Sequence, residues 1–118
     1  MAEAFFNRYS KRHTSESAGL VLDIDYIDKR VIRAMKEIDF DLSDKKPKKV
    51  TKEMIDNADQ VIIVSQDLKQ YYTWKKKPII WNIYDIIKNE NGEVPYQQFL
   101  NIRERVKTKI EELVKKLG

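Results

Sequence analysis

The sequence predicts an α/β domain with a small, mostly parallel sheet of three to four strands. Three observations carry this. Amphipathic helical segments alternate with short apolar runs along the chain. Two of the runs, Val61-Ile62-Ile63-Val64 and Pro78-Ile79-Ile80-Trp81-Asn82-Ile83, are apolar enough to suit strands covered on both faces. With 118 residues, 42% of them hydrophobic, the chain can build one core of ordinary quality.

Met1 to about Ser10 predicts a helix, because Phe5, Phe6 and Tyr9 form an apolar stripe with Met1 and Ala2 one turn earlier. Thr14 to Gly19 predicts a short strand ending in Gly. Leu20 to Tyr26 alternates apolar and acidic residues and reads as a loop. Asp28 is placed to cap a helix from Lys29 to about Ile38, where Val31, Ile32, Met35 and Ile38 recur at helical spacing. Asp39 to Ser43 reads as an extended connector, followed by the basic loop Asp44-Lys45-Lys46-Pro47-Lys48-Lys49. Thr51 can cap a short helix to about Asn57, with Met54 and Ile55 inward.

Between the two strand candidates, Asp67 to Trp74 reads as a polar-aromatic helix or turn. Asn89-Glu90-Asn91-Gly92 is a turn. Pro95 suits the first turn of a last helix ending near Leu117. Phe99, Ile102, Val106, Ile110, Leu113 and Leu117 form its stripe, and Lys115 and Lys116 sit where the helix dipole favours cations. No repeat, linker or low-complexity tract divides the chain, so residues 1–118 are expected to form a single domain.

Composition narrows the chemistry. The chain has no cysteine, which removes disulfides, thiolate ligands and a thiol nucleophile from these residues. One His and no Cys give a zinc site no donor set, and no metal or other cofactor is expected. No apolar run approaches the ~20 residues of a membrane span. The acidic, amphipathic opening does not resemble a secretory signal, and a cytoplasmic location is expected. The formal charge of +4 is modest against 19 acidic residues. A Lys- and Glu-rich chain of this kind suits a heat-adapted source as well as a nucleic-acid binder.

Five stretches, in order, resemble a known family. Met1-Ala2-Glu3-Ala4-Phe5-Phe6 is similar to the start of a helix that follows a phosphate-binding loop of pattern C-x5-R-S. Ser17-Ala18-Gly19 is similar to an S-A-G at the end of the second strand. The run from Val31 to Ser43 and its basic continuation, Asp59-Gln60-Val61-Ile62-Ile63-Val64, and Trp81-Asn82-Ile83-Tyr84-Asp85 complete the set. Together they resemble the low-molecular-weight protein tyrosine phosphatases, especially their arsenate reductase branch, over nearly the whole chain. The resemblance implies a three-layer α/β/α fold. It also implies a cysteine thiolate attacking phosphorus or arsenic, an oxyanion held by backbone N–H groups and an Arg, and an Asp as general acid.

The departures matter as much. The family's first strand and phosphate loop have no counterpart here, so a truncated, non-catalytic form is expected. The alternatives are a fragment or mis-started form of an active phosphatase or arsenate reductase, and a small basic module binding nucleic acid or protein. The resemblance makes Asp85 the family's general acid, now vestigial; read bare, it is a solvated loop carboxylate. Ser17 either supports a phosphate loop or ends a strand on local backbone. Ser65 ends a strand candidate but has no partner except His13, which reads as a surface residue. Lys45, Lys46, Lys48 and Lys49, with Tyr71, Tyr72, Trp74, Lys75, Lys76 and Lys77, form a candidate surface for an anionic ligand or a protein; solvated charge is the plainer reading.

In the family the absent strand lies between Ser17-Ala18-Gly19 and Val61 to Val64. Each backbone group left buried and unpaired costs roughly 1–3 kcal/mol, against about 5–15 kcal/mol for a whole domain. An open slot is therefore not sustainable. Either the Ser17 segment pairs directly with Val61 to Val64, or a second chain fills the gap, or the natural product is longer. A homodimer through the incomplete sheet is the expected partner arrangement, with no membrane association.

Overall fold

The computed structural model describes residues 1–18, 28–46, 48–64, 77–81, 83 and 89–117. In chain order the elements are α1 (Ala2–Tyr9), α2 (Lys29–Lys36), α3 (Lys52–Asn57), β1 (Ile62–Ile63), β2 (Ile79–Ile80) and α4 (Tyr96–Leu117). The class is α/β, with β1 and β2 paired in parallel, Ile62 opposite Ile79 and Ile63 opposite Ile80. Two ladder bonds flank the pair: Ile79 N–H donates to Val61 O at 3.0 Å and Trp81 N–H to Ile63 O at 2.9 Å. No helix among the described residues is long and apolar enough to cross a membrane.

The helices start where the sequence places their caps. Asp28 accepts from Arg30 N–H at 2.8 Å, and Thr51 Oγ1 accepts from Met54 N–H at 3.2 Å, each satisfying a donor that a helix start leaves without a partner. Pro95 lies immediately before α4, and its carbonyl accepts from Gln98 N–H at 3.0 Å. The turn before it is held by Asn89, whose Oδ1 accepts from the N–H groups of Asn91 (3.0 Å) and Glu93 (2.9 Å). Gly92 takes φ +78° there, a conformation that glycine adopts without steric penalty.

α4 is the spine. Its stripe of Phe99, Ile102, Val106 and Ile110 is buried, and both α1 and α2 pack against it. Phe5 and Phe6 of α1, Met35 of α2, Phe40, Leu42 and Ile83 complete one apolar cluster, with Val64 and Trp81 partly buried on it. Phe5 meets Phe40 edge-on, with ring centroids 4.9 Å apart.

Two segments depart from the sequence expectation. Thr14 to Ala18 is not a strand. Its backbone polar groups go to a side chain instead: Ser15 N–H donates to Asn7 Oδ1 at 2.7 Å, and Asn7 Nδ2 donates back to Ser15 O at 3.1 Å. The Asn7 amide thus does for Ser15 what a neighbouring strand would do. Direct pairing of this segment with Val61 to Val64 does not occur among the described residues.

Asp39 to Ser43 is not extended. Phe40 N–H donates to Met35 O at 3.0 Å and Asp39 N–H to Lys36 O at 3.1 Å, while Asp39 turns left-handed at φ 65°. These bonds satisfy the last carbonyls of the α2 turn and bring Phe40 onto Met35 in the core. Beyond it, Asp41 Oδ1 accepts from Ser43 N–H at 2.9 Å and Ser43 Oγ–H at 2.6 Å, closing a second tight turn.

Candidate functional site

The start of α1 is where the family resemblance points. Met1 carries no side-chain cap for α1. Burial pushes its ammonium below the ordinary value of 8.0, with Glu3 opposing the shift. Ser17, exposed, donates its hydroxyl to Glu3 Oε2 at 2.8 Å. Ser15 Oγ–H reaches Asn7 Oδ1 at 3.0 Å. Ser17 is therefore tied to the first turn of α1. A hydroxyl donating to a carboxylate is held in place, and among the described residues none beside it is arranged as a relay to activate it. No cluster of metal-ligating side chains exists among the described residues.

One turn further on, two exposed loops are fastened together. Arg8 lays its guanidinium over the Phe40 ring at 3.6 Å. Glu16 pairs with Lys48 Nζ at 3.1 Å. Of the cationic candidates, Lys45, Lys46, Lys48, Lys49 and Lys77 are all exposed. Lys48 is drawn towards the Ser15 to Ser17 segment through Glu16, whereas Lys77 lies next to β2. Asp85, Ser65, Tyr71, Tyr72, Trp74, Lys75 and Lys76 lie outside the described residues. His13 is exposed, and its N–H donates to Ser10 Oγ at 3.2 Å.

A second polar cluster joins α2 to α4. Arg103 Nη1 donates to Ala34 O at 2.8 Å and to Glu37 Oε2 at 3.1 Å. Tyr96 O–H donates to the same Glu37 oxygen at 3.2 Å, and Arg33 stacks on the Tyr96 ring at 4.2 Å. Burial, helped by Glu37, raises the Tyr96 hydroxyl above its ordinary value of 10.0. The cluster fixes one helix on another. Sequence reasoning did not find it, because its members lie about sixty residues apart and share no local pattern. The same holds for Asn7 and for the Arg8–Phe40 and Glu16–Lys48 contacts.

Residues 1–118 match the family model described as low molecular weight phosphotyrosine protein phosphatase. The chain belongs to that family. No curated protein matches it. The phosphatase-family membership agrees with the α/β class and with the resemblance carried by Met1 to Phe6, Ser17 to Gly19 and Val61 to Val64. Within this phosphatase-family chain the 118 residues contain no cysteine, so they hold no thiolate.

Proposed function

We propose that this polypeptide is a non-catalytic member of the phosphatase and arsenate reductase family that acts by binding. One observation carries the reading: a chain matched along its whole length to a thiol-dependent family has no sulfur nucleophile. Covalent catalysis loses its attacking atom when the nucleophile is removed, and neighbouring groups do not restore it. Asp85 as a residual general acid is worth roughly 10²–10⁴-fold only when the rest of the machinery is present. The fold of this reading is the family's three-layer domain over residues 1–118. It resides in the cytoplasm, takes an anionic ligand beside Ser17 and the Lys45 to Lys49 loop, and associates through its short sheet as a homodimer.

The test is turnover. Purified 118-residue protein is assayed on p-nitrophenyl phosphate and, with a thiol reductant, on arsenate. The expected rate equals the buffer blank. Turnover comparable to an ordinary phosphatase, and proportional to protein concentration, overturns the reading.

A further inference from the structure

The two loops beside α1 form one charged surface. The span from Arg8, in the last turn of α1, to Glu16 and the span from Phe40 to Lys48 are each nine residues long. They are fastened at both ends, Arg8 on Phe40 at 3.6 Å and Glu16 on Lys48 at 3.1 Å. Arg8 meets Phe40 and Glu16 meets Lys48, so the chain leaving α1 and the chain leaving the α2 turn are held near each other at two points. Between the fastenings lie Lys11, Arg12 and His13 on one span and Lys45 and Lys46 on the other, all exposed. Lys49 is exposed just beyond.

Charge is concentrated here. Arg8, Lys11, Arg12, Lys45, Lys46, Lys48 and Lys49 stand against Glu16, Asp41 and Asp44, an excess equal to the +4 of the whole chain. The carboxylates are partly occupied: Glu16 holds Lys48, and Asp41 accepts twice from Ser43. The apolar members of the two spans face inward, with Phe40 and Leu42 buried and Tyr9 half-buried on the core. A protein partner ordinarily needs an exposed apolar or aromatic anchor. A phosphodiester backbone is held by cations alone.

We infer that this face binds the phosphate backbone of nucleic acid, without sequence preference. The inference rests on the binding reading proposed above and names the class of anion taken beside the Lys45 to Lys49 loop; a failed oligo(U) titration leaves the predicted lack of turnover untouched, and observed turnover leaves the titration to be read on its own. Fluorescence anisotropy of a labelled oligo(U) of about twelve nucleotides tests it, in a salt series. Binding is expected at about 1–100 μM near physiological salt, with log K falling against log salt at a slope of about −2 to −4. Two charge-reversed variants, Lys11→Glu with Arg12→Glu and Lys45→Glu with Lys46→Glu, should each weaken binding at least about tenfold and flatten the slope by about 1–2. A control of equal charge change at the end of α4, Lys115→Glu with Lys116→Glu, should stay within about threefold. All these side chains are exposed, so the variants should fold, and circular dichroism checks that they do. The inference is overturned if oligo(U) does not bind at low salt, or if the control loses as much as the loop variants. It is overturned in favour of an acidic protein partner if poly-glutamate of equal charge binds more tightly than oligo(U).

Discussion

The layer formed by α1, α2 and α4 and the pair formed by β1 and β2 differ in how firmly each is built. In the helical layer Phe5, Met35 and Val106 are fully buried, and side chains from three elements close on one another. In the strand pair Ile63 is buried at 1% exposure, while Ile80, directly opposite it on the partner strand, is 42% exposed. Each strand is two residues long. In α/β proteins chemistry is usually mounted at the carboxyl ends of strands. Here the strands are the slighter part, and the helices hold the described core. Among the described residues the helices supply most of the buried side chains, with Ile63 and Ile83 adding to them from the strand region.

Substitutions at four positions would break or sharpen this contrast, and urea unfolding reads each of them. Phe5→Ala should have the largest effect, about 3–5 kcal/mol, because it empties a fully buried site against Phe40. That is a large share of a domain's total stability, and the variant should be largely unfolded at physiological temperature. A loss below about 1 kcal/mol would mean that the helical layer is not the stable region. Arg103→Ala should cost about 1–3 kcal/mol, since it removes the donor from the Ala34 carbonyl and the partner from Glu37. Arg103→Lys should recover only part of this, because one ammonium cannot also hold the Glu104 carboxylate that the Arg103 Nε–H reaches at 2.8 Å.

Asp28→Ala should cost about 1 kcal/mol at neutral pH through loss of the α2 cap. Arg30 holds the Asp28 carboxyl below its ordinary value of 3.8. A carboxyl lowered in the folded state stabilises above its unfolded value, and this contribution is lost as pH falls through the lowered folded value. The gap between wild type and variant should thus be full above about pH 5 and narrow below 3.8. A gap that widens in acid would contradict the assigned ion pair. Ile80→Thr should have the smallest effect, within about 0.5 kcal/mol, because the side chain is exposed and the replacement keeps its β-branching. A loss near that of Phe5→Ala would show the strand pair to be as firmly built as the helices.

Much of the helical layer could be read in the sequence, because it is specified locally. Asp28 and Thr51 announce helix starts with their own side chains, Pro95 and the Asn89 to Gly92 turn announce α4, and the stripe from Phe99 to Ile110 repeats at helical spacing. What failed is what depends on partners. Thr14 to Ala18 resembles a strand in composition, but its hydrogen bonds are taken by Asn7, a choice visible only once α1 lies beside it. Asp39 enters the left-handed region where a glycine would have flagged a helix end, so the turn after α2 read as extended chain. At the candidate site, Ser17 stood out by its family motif, but its partner Glu3 and the Glu16–Lys48 fastening are long-range pairings without periodicity. Asp85, Ser65 and the Tyr71 to Lys76 run lie outside the described residues.

The central claim is the one proposed above, that these 118 residues, which contain no cysteine, do not displace a phosphoryl leaving group. Its most direct test is to mix the pure protein with a phosphotyrosine peptide, quench in acid, and weigh the intact polypeptide by mass spectrometry. The account predicts unmodified protein at every time point. A phosphoryl adduct that forms and decays with peptide turnover would contradict it, and mapping that adduct would name the nucleophile.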